Sequence, residues 1–257
     1  MKWMRCRHDG RELWGALEGD MLAVHEGDLF GAHRASGERV PVAGVEWLTP
    51  CRPGKMLALW NNFRAAAEKN GWAVPAEPLY FVKTPNSYAA HGQAIAAPSP
   101  EVGRVAYEGE LAIVIGRRAK GVSAAQAPEH ILGYACANDL TAIELLNRDP
   151  AFAQWTRAKG FDGFGVFGPV IATDFDPNSA SVRTLVGGRE RQNYALADMI
   201  FPPHELVARL SQDMTLEPGD VILCGTSLGV LPMKPGTRVE VVIDGIGTLA
   251  NDYVKLP

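Results

Sequence analysis

Two glutamates one residue apart, Glu108 and Glu110, stand at the head of the most strand-like segment of the chain, YEGELAIVIG over 107–116. On a strand, positions i and i+2 share a face. The two carboxylates therefore project together, while Tyr107, Leu111, Ile113 and Ile115 on the opposite face read as core. Paired carboxylates on an otherwise buried strand repel each other and are costly to desolvate without a compensating cation. Mg²⁺, Mn²⁺ or Ca²⁺ suits them, because hard cations take oxygen ligands. The same spacing also describes ordinary acids on an exposed strand face. Asp139 closes the apolar segment ILGYACAND and offers a third carboxylate, or else the N-cap of the helix that follows. Three carboxylates would leave coordination positions open for a bidentate substrate and a water, as a catalytic metal requires.

Two further positions belong with these. Lys159 sits in RAKGFDGFGVFGP, where glycines suit close approach of backbone to a ligand, or simply a surface turn. Thr226 lies in CGTSLGV after the strand DVILC, with a hydroxyl available to a substrate carboxylate or to the turn itself.

The elements that must position these residues are mostly strands. Residues 1–52 read as short strands and turns and are expected to form a small N-terminal β module, with RPGK at 52–55 as the joint to a second domain over 53–257. Strands are predicted for MLALW (56–60), PLYFVK (78–83), YEGELAIVIG, GFGVFGPVIATD (163–174) and the closing DVILCGTSLGV and VEVVIDGIGTLANDYV. Helices are predicted for NNFRAAAEKNGW, for a segment opened by a capping box at Ser123–Gln126 and running towards Tyr134, for 140–148 and for 202–214. Strands outnumber helices and do not alternate with them regularly. This argues for a mostly β member of the α+β class and against a Rossmann or TIM-barrel architecture.

Composition narrows the class of function. The 257 residues are 47% apolar and 21% charged, ordinary for a globular chain, and the formal charge of −4 argues against a nucleic-acid binder. Cys6, Cys51, Cys136 and Cys224 form no CxxC pair, which excludes a zinc ribbon or thioredoxin-type motif. The N-terminus MKWMRCRHDG has no apolar h-region, and no apolar run reaches 18 residues. The expectation is a cytoplasmic protein with no membrane or nucleic-acid partner.

Taken together, YEGELAIVIG, CAND, AKGFDGFGVFGP and ALADMIFPPHELVARLSQDMTLEPGDVILCGTSLGV…PGTRVEVVIDGIGTLAN resemble, in order and spacing over about residues 56–254, the fumarylacetoacetate hydrolase family. The resemblance implies that family's mixed β-roll with peripheral helices, preceded by a small N-terminal domain, and often a homodimer. It implies a divalent metal, Mg²⁺ or Mn²⁺ with Ca²⁺ also suitable, held by Glu108, Glu110 and Asp139. Lys159 falls on the family's lysine near the metal, and Thr226 on its substrate-contacting threonine. Family members act on 2-oxo acids and their enols, prominently the dicarboxylates of aromatic-compound breakdown. They cleave C–C bonds of acylpyruvates, decarboxylate, or tautomerise.

This chain departs from the pattern where many hydrolytic members carry a lid helix NYxxHxxE. Its Asn62–Lys69 segment places Ala66 at the histidine and Lys69 at the glutamate. The arginine that some members place four residues after the third ligand is Ile143 here. Isomerisation (tautomerisation) or decarboxylation of a 2-oxo-enoic or 2-hydroxydienoic acid is therefore expected ahead of C–C hydrolysis. Hydrolysis would need another base, with His91 of SYAAHGQAI the first candidate; a non-catalytic 2-oxo acid binding protein is the third reading. Arg64 or Lys69 is a candidate for a second substrate carboxylate. Lys83 is expected to pack its stem without a chemical role, and His204 and Glu205 to lie at the surface.

Overall fold

The computed structural model describes residues 1–255. The first five strands, β1 (Lys2–His8), β2 (Arg11–Glu18), β3 (Met21–Gly27), β4 (His33–Pro41) and β5 (Glu46–Leu48), pair antiparallel. A division after residue 52 falls in the connection between β5 and β6 (Met56–Trp60). Helix α1 (Arg64–Asn70) follows and ends at Gly71, whose φ of 67° supplies the left-handed cap that the Asn-Gly stop predicts. Next come β7 (Leu79–Lys83), β8 (Tyr88–Ala89), β9 (Ile95–Ala96), β10 (Val105–Ala106) and β11 (Gly109–Ile115).

The middle of the chain contains β12 (Ile131–Asp139), β13 (Thr141–Ala142), α2 (Ile143–Leu146), α3 (Trp155–Lys159) and β14 (Gly165–Ala172). The remainder contains β15 (Ser181–Val186), β16 (Arg189–Ala195), α4 (Pro203–Asp213), β17 (Val221–Leu223), β18 (Pro232–Met233), β19 (Thr237–Ile243) and β20 (Gly247–Val254). The long sheet runs β4-β3-β2-β1-β14-β12-β11-β17-β6-β7, with β1 against β14 joining the N-terminal strands to the rest. A second sheet runs β16-β15-β19-β20-β9, and a small one β13-β10-β18.

Strand β11 lies at the middle of this arrangement. Its Leu111, Ile113 and Ile115 join Val182, Val239, Val241 and Ile243 of the second sheet in one apolar cluster. Ala112 and Val114, on the other face, join Met56, Ala58, Ala135, Ala137 and Leu223. Both faces of the strand are thus buried, as the apolar run implied for one of them.

Two predicted helices are corrected. The Ser123–Gln126 box does form: the Ser123 N–H donates to Gln126 Oε1 at 3.0 Å. It opens only a turn and a short 3₁₀ segment (Ala127–His130), because residues 131–139 are drawn into the long sheet between β11 and β14. The helix expected over 140–148 shrinks to α2, since Thr141 and Ala142 pair with β10 first. Asp139 consequently ends a strand and caps no helix.

Gly109, between the two glutamates, has a steric reason. A Cβ there would lie 2.0 Å from Thr184 Oγ1 and 3.2 Å from Gln192 Oε1, where the second sheet crosses over β11. Gly109→Ala is expected to lower stability by about 2–3 kcal/mol, as overpacking of a tight core does. Urea unfolding of the variant beside wild type measures this directly; an unchanged midpoint would mean that the two sheets yield at this crossing.

Candidate active site

The antiparallel register of β11 and β12 sets Gly109 opposite Asn138 and Glu110 opposite Ala137. One step further, the Asp139 N–H donates to the Glu108 carbonyl at 3.0 Å, and the Glu108 N–H donates to Asn138 Oδ1 at 2.9 Å. This pairing brings the third carboxylate to the first two. Oxygens of Glu108, Glu110 and Asp139 lie within 4.8 Å of one another. Glu110 and Asp139 are fully buried, and Glu108 is partly open to a cavity.

Two ammonium groups enter from elsewhere. Lys159, the last residue of α3, donates to Asp139 Oδ2 at 2.7 Å and to Glu108 Oε2 at 2.9 Å. Its Nζ lies 5.4 Å from the Phe81 ring centroid, in cation–π range. Lys83, the last residue of β7, donates to Asp139 Oδ1 at 2.5 Å and to the Phe164 carbonyl at 3.0 Å. Lys83 is fully buried, whereas no chemical role is expected for it from the sequence. Its signal was parity: Lys83 shares a strand face with Phe81, whose ring stacks on Trp155 at 4.8 Å beside Lys159. Gly165 leaves room for the Lys83 stem, since a Cβ there would come within 3.0 Å of Lys83 Cε. One of the glycines that follow Lys159 in sequence, Gly165, thus serves a neighbouring lysine.

These charges shift one another. Burial works against ionised Asp139, yet Lys159 and Lys83 hold its carboxyl below the usual range. Burial raises the Glu108 carboxyl, with Lys159 pulling the other way. Burial, then Asp139 and Glu108, push Glu110 well above the ordinary glutamate value. Burial also opposes the Lys159 charge, but Asp139 and Glu108 outweigh it and keep that ammonium protonated.

Glu110 has its two oxygens in unlike surroundings. Its Oε2 accepts from the Gly225 N–H at 2.7 Å, whereas its buried Oε1 has no partner in the protein. An unpaired buried carboxylate oxygen is costly, and here it belongs to an all-oxygen cluster. The residues fit a hard divalent cation.

Beside Glu108 opens a cavity of about 440 Å³, lined on its apolar side by Leu59, Trp60, Trp72, Leu228 and Leu231. Thr226, Ala66 and Lys69 also line it. Thr226 donates to the Gly109 carbonyl at 2.9 Å and accepts from Gln192 Nε2 at 2.8 Å, so its hydroxyl is fixed to the strand that carries the glutamates. Arg64 is exposed and is not among the lining residues. Nor is His91, which borders a separate cavity with Trp47 and Arg5. There its Nδ1 accepts from the Ala250 N–H at 3.1 Å and its ring meets Trp47 edge-on. The structure therefore brings Glu108, Glu110, Asp139, Lys159, Thr226 and Lys69 together and leaves His91 and Arg64 out. Of the pair expected at the surface, His204 is exposed and Glu205 half-buried.

Comparison with known proteins gives the same region a lineage. A family model described as fumarylacetoacetate (FAA) hydrolase C-terminal matches residues 55–254, and one described as Rv2993c-like, N-terminal matches residues 1–50. The solved 5-carboxymethyl-2-hydroxymuconate delta-isomerase from Mycobacterium smegmatis is 36% identical, with all of both chains covered and a TM-score of 0.92. Oxaloacetate tautomerase from Bacillus subtilis is 35% identical over 213 residues, which are 78% of this chain and 70% of that protein. Maleylpyruvate hydrolase from Sphingobium sp. SYK-6, solved with manganese(II) and pyruvate, is 25% identical with all of both chains covered and a TM-score of 0.81.

Two outcomes are expected of this geometry. Lys83→Met removes one partner of a buried ion pair and should cost about 3 kcal/mol in urea unfolding. A near-neutral result would show that Lys159 alone balances Asp139. The second concerns His91. Burial, with Arg238, holds its pKa below 6.5. The unfolded chain then binds the proton more readily, so stability is lost as pH falls from about 6.5 towards the folded value. His91→Gln, whose amide oxygen can still accept from Ala250, should lose less stability than wild type between pH 7.5 and 5.5. Equal losses would assign the acid sensitivity elsewhere.

Proposed function

The chain belongs to the fumarylacetoacetate hydrolase family, and on that premise we propose that it is a divalent-metal-dependent enzyme that tautomerises or decarboxylates 2-oxo-enoic or 2-hydroxydienoic acids, in the breakdown of aromatic compounds. The observation that carries this reading is the unpartnered Oε1 of Glu110 within a three-carboxylate cluster, beside a cavity that presents no imidazole among its described lining residues. Glu108, Glu110 and Asp139 would hold Mg²⁺ or Mn²⁺. When bound, the metal supplies Lewis-acid polarisation of a chelating 2-oxo acid.

The chain's own groups do the rest. The Lys159 ammonium, fixed by Asp139 and Glu108, faces charge as it develops on the substrate oxygen and keeps its proton while doing so. Thr226 orients the substrate in the cavity. Lys69 meets a second carboxylate at the cavity wall, and Trp60 and Trp72, 5.1 Å apart between ring centroids, exclude water from the carbon skeleton. Ala66 and Lys69 stand where a water-activating His–Glu pair would be expected, and neither supplies the imidazole or the carboxylate of such a pair. This favours tautomerisation or decarboxylation over the hydrolysis catalysed by the Sphingobium relative.

The test is a panel of a 2-hydroxydienoate, oxaloacetate and an acylpyruvate with Mg²⁺ or Mn²⁺, repeated in chelator. Metal-dependent loss of enol absorbance without cleavage, or release of CO₂ above background, is expected. Metal-dependent cleavage of the acylpyruvate into two acids would overturn the preference. Glu110→Gln should weaken Mn²⁺ binding by at least about 100-fold, beyond the usual cost of losing an outer partner. Lys69→Ala should raise KM about tenfold for a substrate with a distal carboxylate, the worth of one hydrogen bond to a charged group, and leave KM for a monocarboxylate unchanged.

A further inference from the structure

Asn62 precedes the lid helix and is fully buried, with its side-chain amide satisfied on both sides. Its Nδ2 donates to the Cys224 carbonyl at 2.8 Å and to the Phe201 carbonyl at 3.2 Å. Its Oδ1 accepts from the Phe201 N–H at 2.9 Å, and its backbone carbonyl accepts from the Ile200 N–H at 2.8 Å. The residue after Cys224 is Gly225, whose N–H holds Glu110 Oε2 at 2.7 Å. We propose that Asn62 is a positioning residue: it ties the root of α1 to the Cys224–Gly225 turn and thereby fixes which oxygen of Glu110 is held by the protein and which is left for a metal.

The turn is fixed from several directions at once. The Cys224 N–H donates to the Leu111 carbonyl at 2.9 Å, and Thr226 Oγ1 donates to the Gly109 carbonyl on the far side. Gly225 has φ of +86°, and a Cβ on it would meet the Leu59 carbonyl oxygen at 3.2 Å and Asn62 Cβ at 3.3 Å. The amide that orients Glu110 is therefore wedged against the side chain that anchors the lid. A carboxylate rotates freely about its last bond unless one oxygen is held. Removing the Asn62 amide leaves the Cys224 carbonyl buried without its donor and frees the turn to shift. The Gly225 N–H would then move away from Oε2. The start of α1 has a separate tether, the Ala65 N–H donating to Asp198 Oδ2 at 3.0 Å, so the lid can be loosened without touching the turn.

This inference rests on the proposed metal site. The test measures Mn²⁺ affinity from the free-ion electron paramagnetic resonance signal, with thermal unfolding of each variant in parallel. Asn62→Ala is expected to weaken Mn²⁺ binding by about tenfold or more, the range for an outer group that orients a ligand. Asp198→Ala should bind Mn²⁺ as wild type does. Wild-type affinity in a folded Asn62→Ala, whatever its stability, would overturn the positioning role. Should Asn62→Ala not fold, Gly225→Ala displaces the same turn and should show the same loss; unchanged affinity there overturns the proposal equally. Glu110→Gln reports on the metal reading separately. If it leaves Mn²⁺ binding intact, the site reading falls; if it weakens binding and Asn62→Ala does not, only the positioning role falls.

Discussion

Three carboxylates gathered within 4.8 Å in the interior of a protein impose a charge balance that the surrounding architecture must meet. Two unit charges 4 Å apart interact by about 4 kcal/mol at the effective dielectric of a protein site. Repulsion of that size cannot be left to distant solvent. Lys159 and Lys83 meet part of it, each with its Nζ on Asp139. They arrive from an α-helix end and from the last strand of the long sheet, so both elements are needed before the cluster can be charged. The aromatic row Trp60, Trp155 and Phe81 fills the space between the cavity wall and the Lys159 ammonium. Glu110 is the member that neither ammonium contacts directly, and its pKa is driven well above the ordinary glutamate value. On the proposed reading, a divalent cation would complete the balance where the lysines stop.

How much of this was legible beforehand follows from the range of each interaction. The Glu108–Glu110 pair was readable because strand periodicity is local, and so was the cap at Gly71. Asp139 was readable as a third carboxylate, but its place at the end of a strand was not. That place depends on pairing with β11 and β14, which no window around residue 139 contains. The same long-range pairing turned the Ser123 capping box into a turn, even though its local hydrogen bonds form as the sequence prescribes. Lys83 was invisible for the same reason: its partner lies 56 residues away. A charged residue ending an apolar strand is as easily explained by exposure as by a buried ion pair.

His91 and Arg64 show the converse. Each is a plausible functional residue type near the right stretch of sequence, and each lies elsewhere in space. His91 is held by a backbone N–H and a tryptophan in a second cavity. Arg64 opens a helix whose inward positions are Ala66 and Ala67. Helical spacing, by contrast, carried Lys69 to the cavity wall three residues on from Ala66. Spacing relative to a known face was therefore a better guide than residue chemistry alone.

The electrostatics of the cluster also constrain the reaction. An ammonium pinned between two carboxylates is a poor base and a good fixed charge, so Lys159 is suited to stabilising an anion and unsuited to collecting a proton. The cavity wall adds a further cation, Lys69, and among the described lining residues the only carboxylate is Glu108, already engaged by Lys159 and Thr141. On the proposed reading, a site built in this way would lower the barrier to placing negative charge on a substrate oxygen and would do little to activate a nucleophile. Reactions whose difficulty lies in forming an enolate, with water carrying the proton, match that arrangement. Reactions that must first deprotonate an attacking water do not, unless the protein brings up a base that lies outside the cavity here.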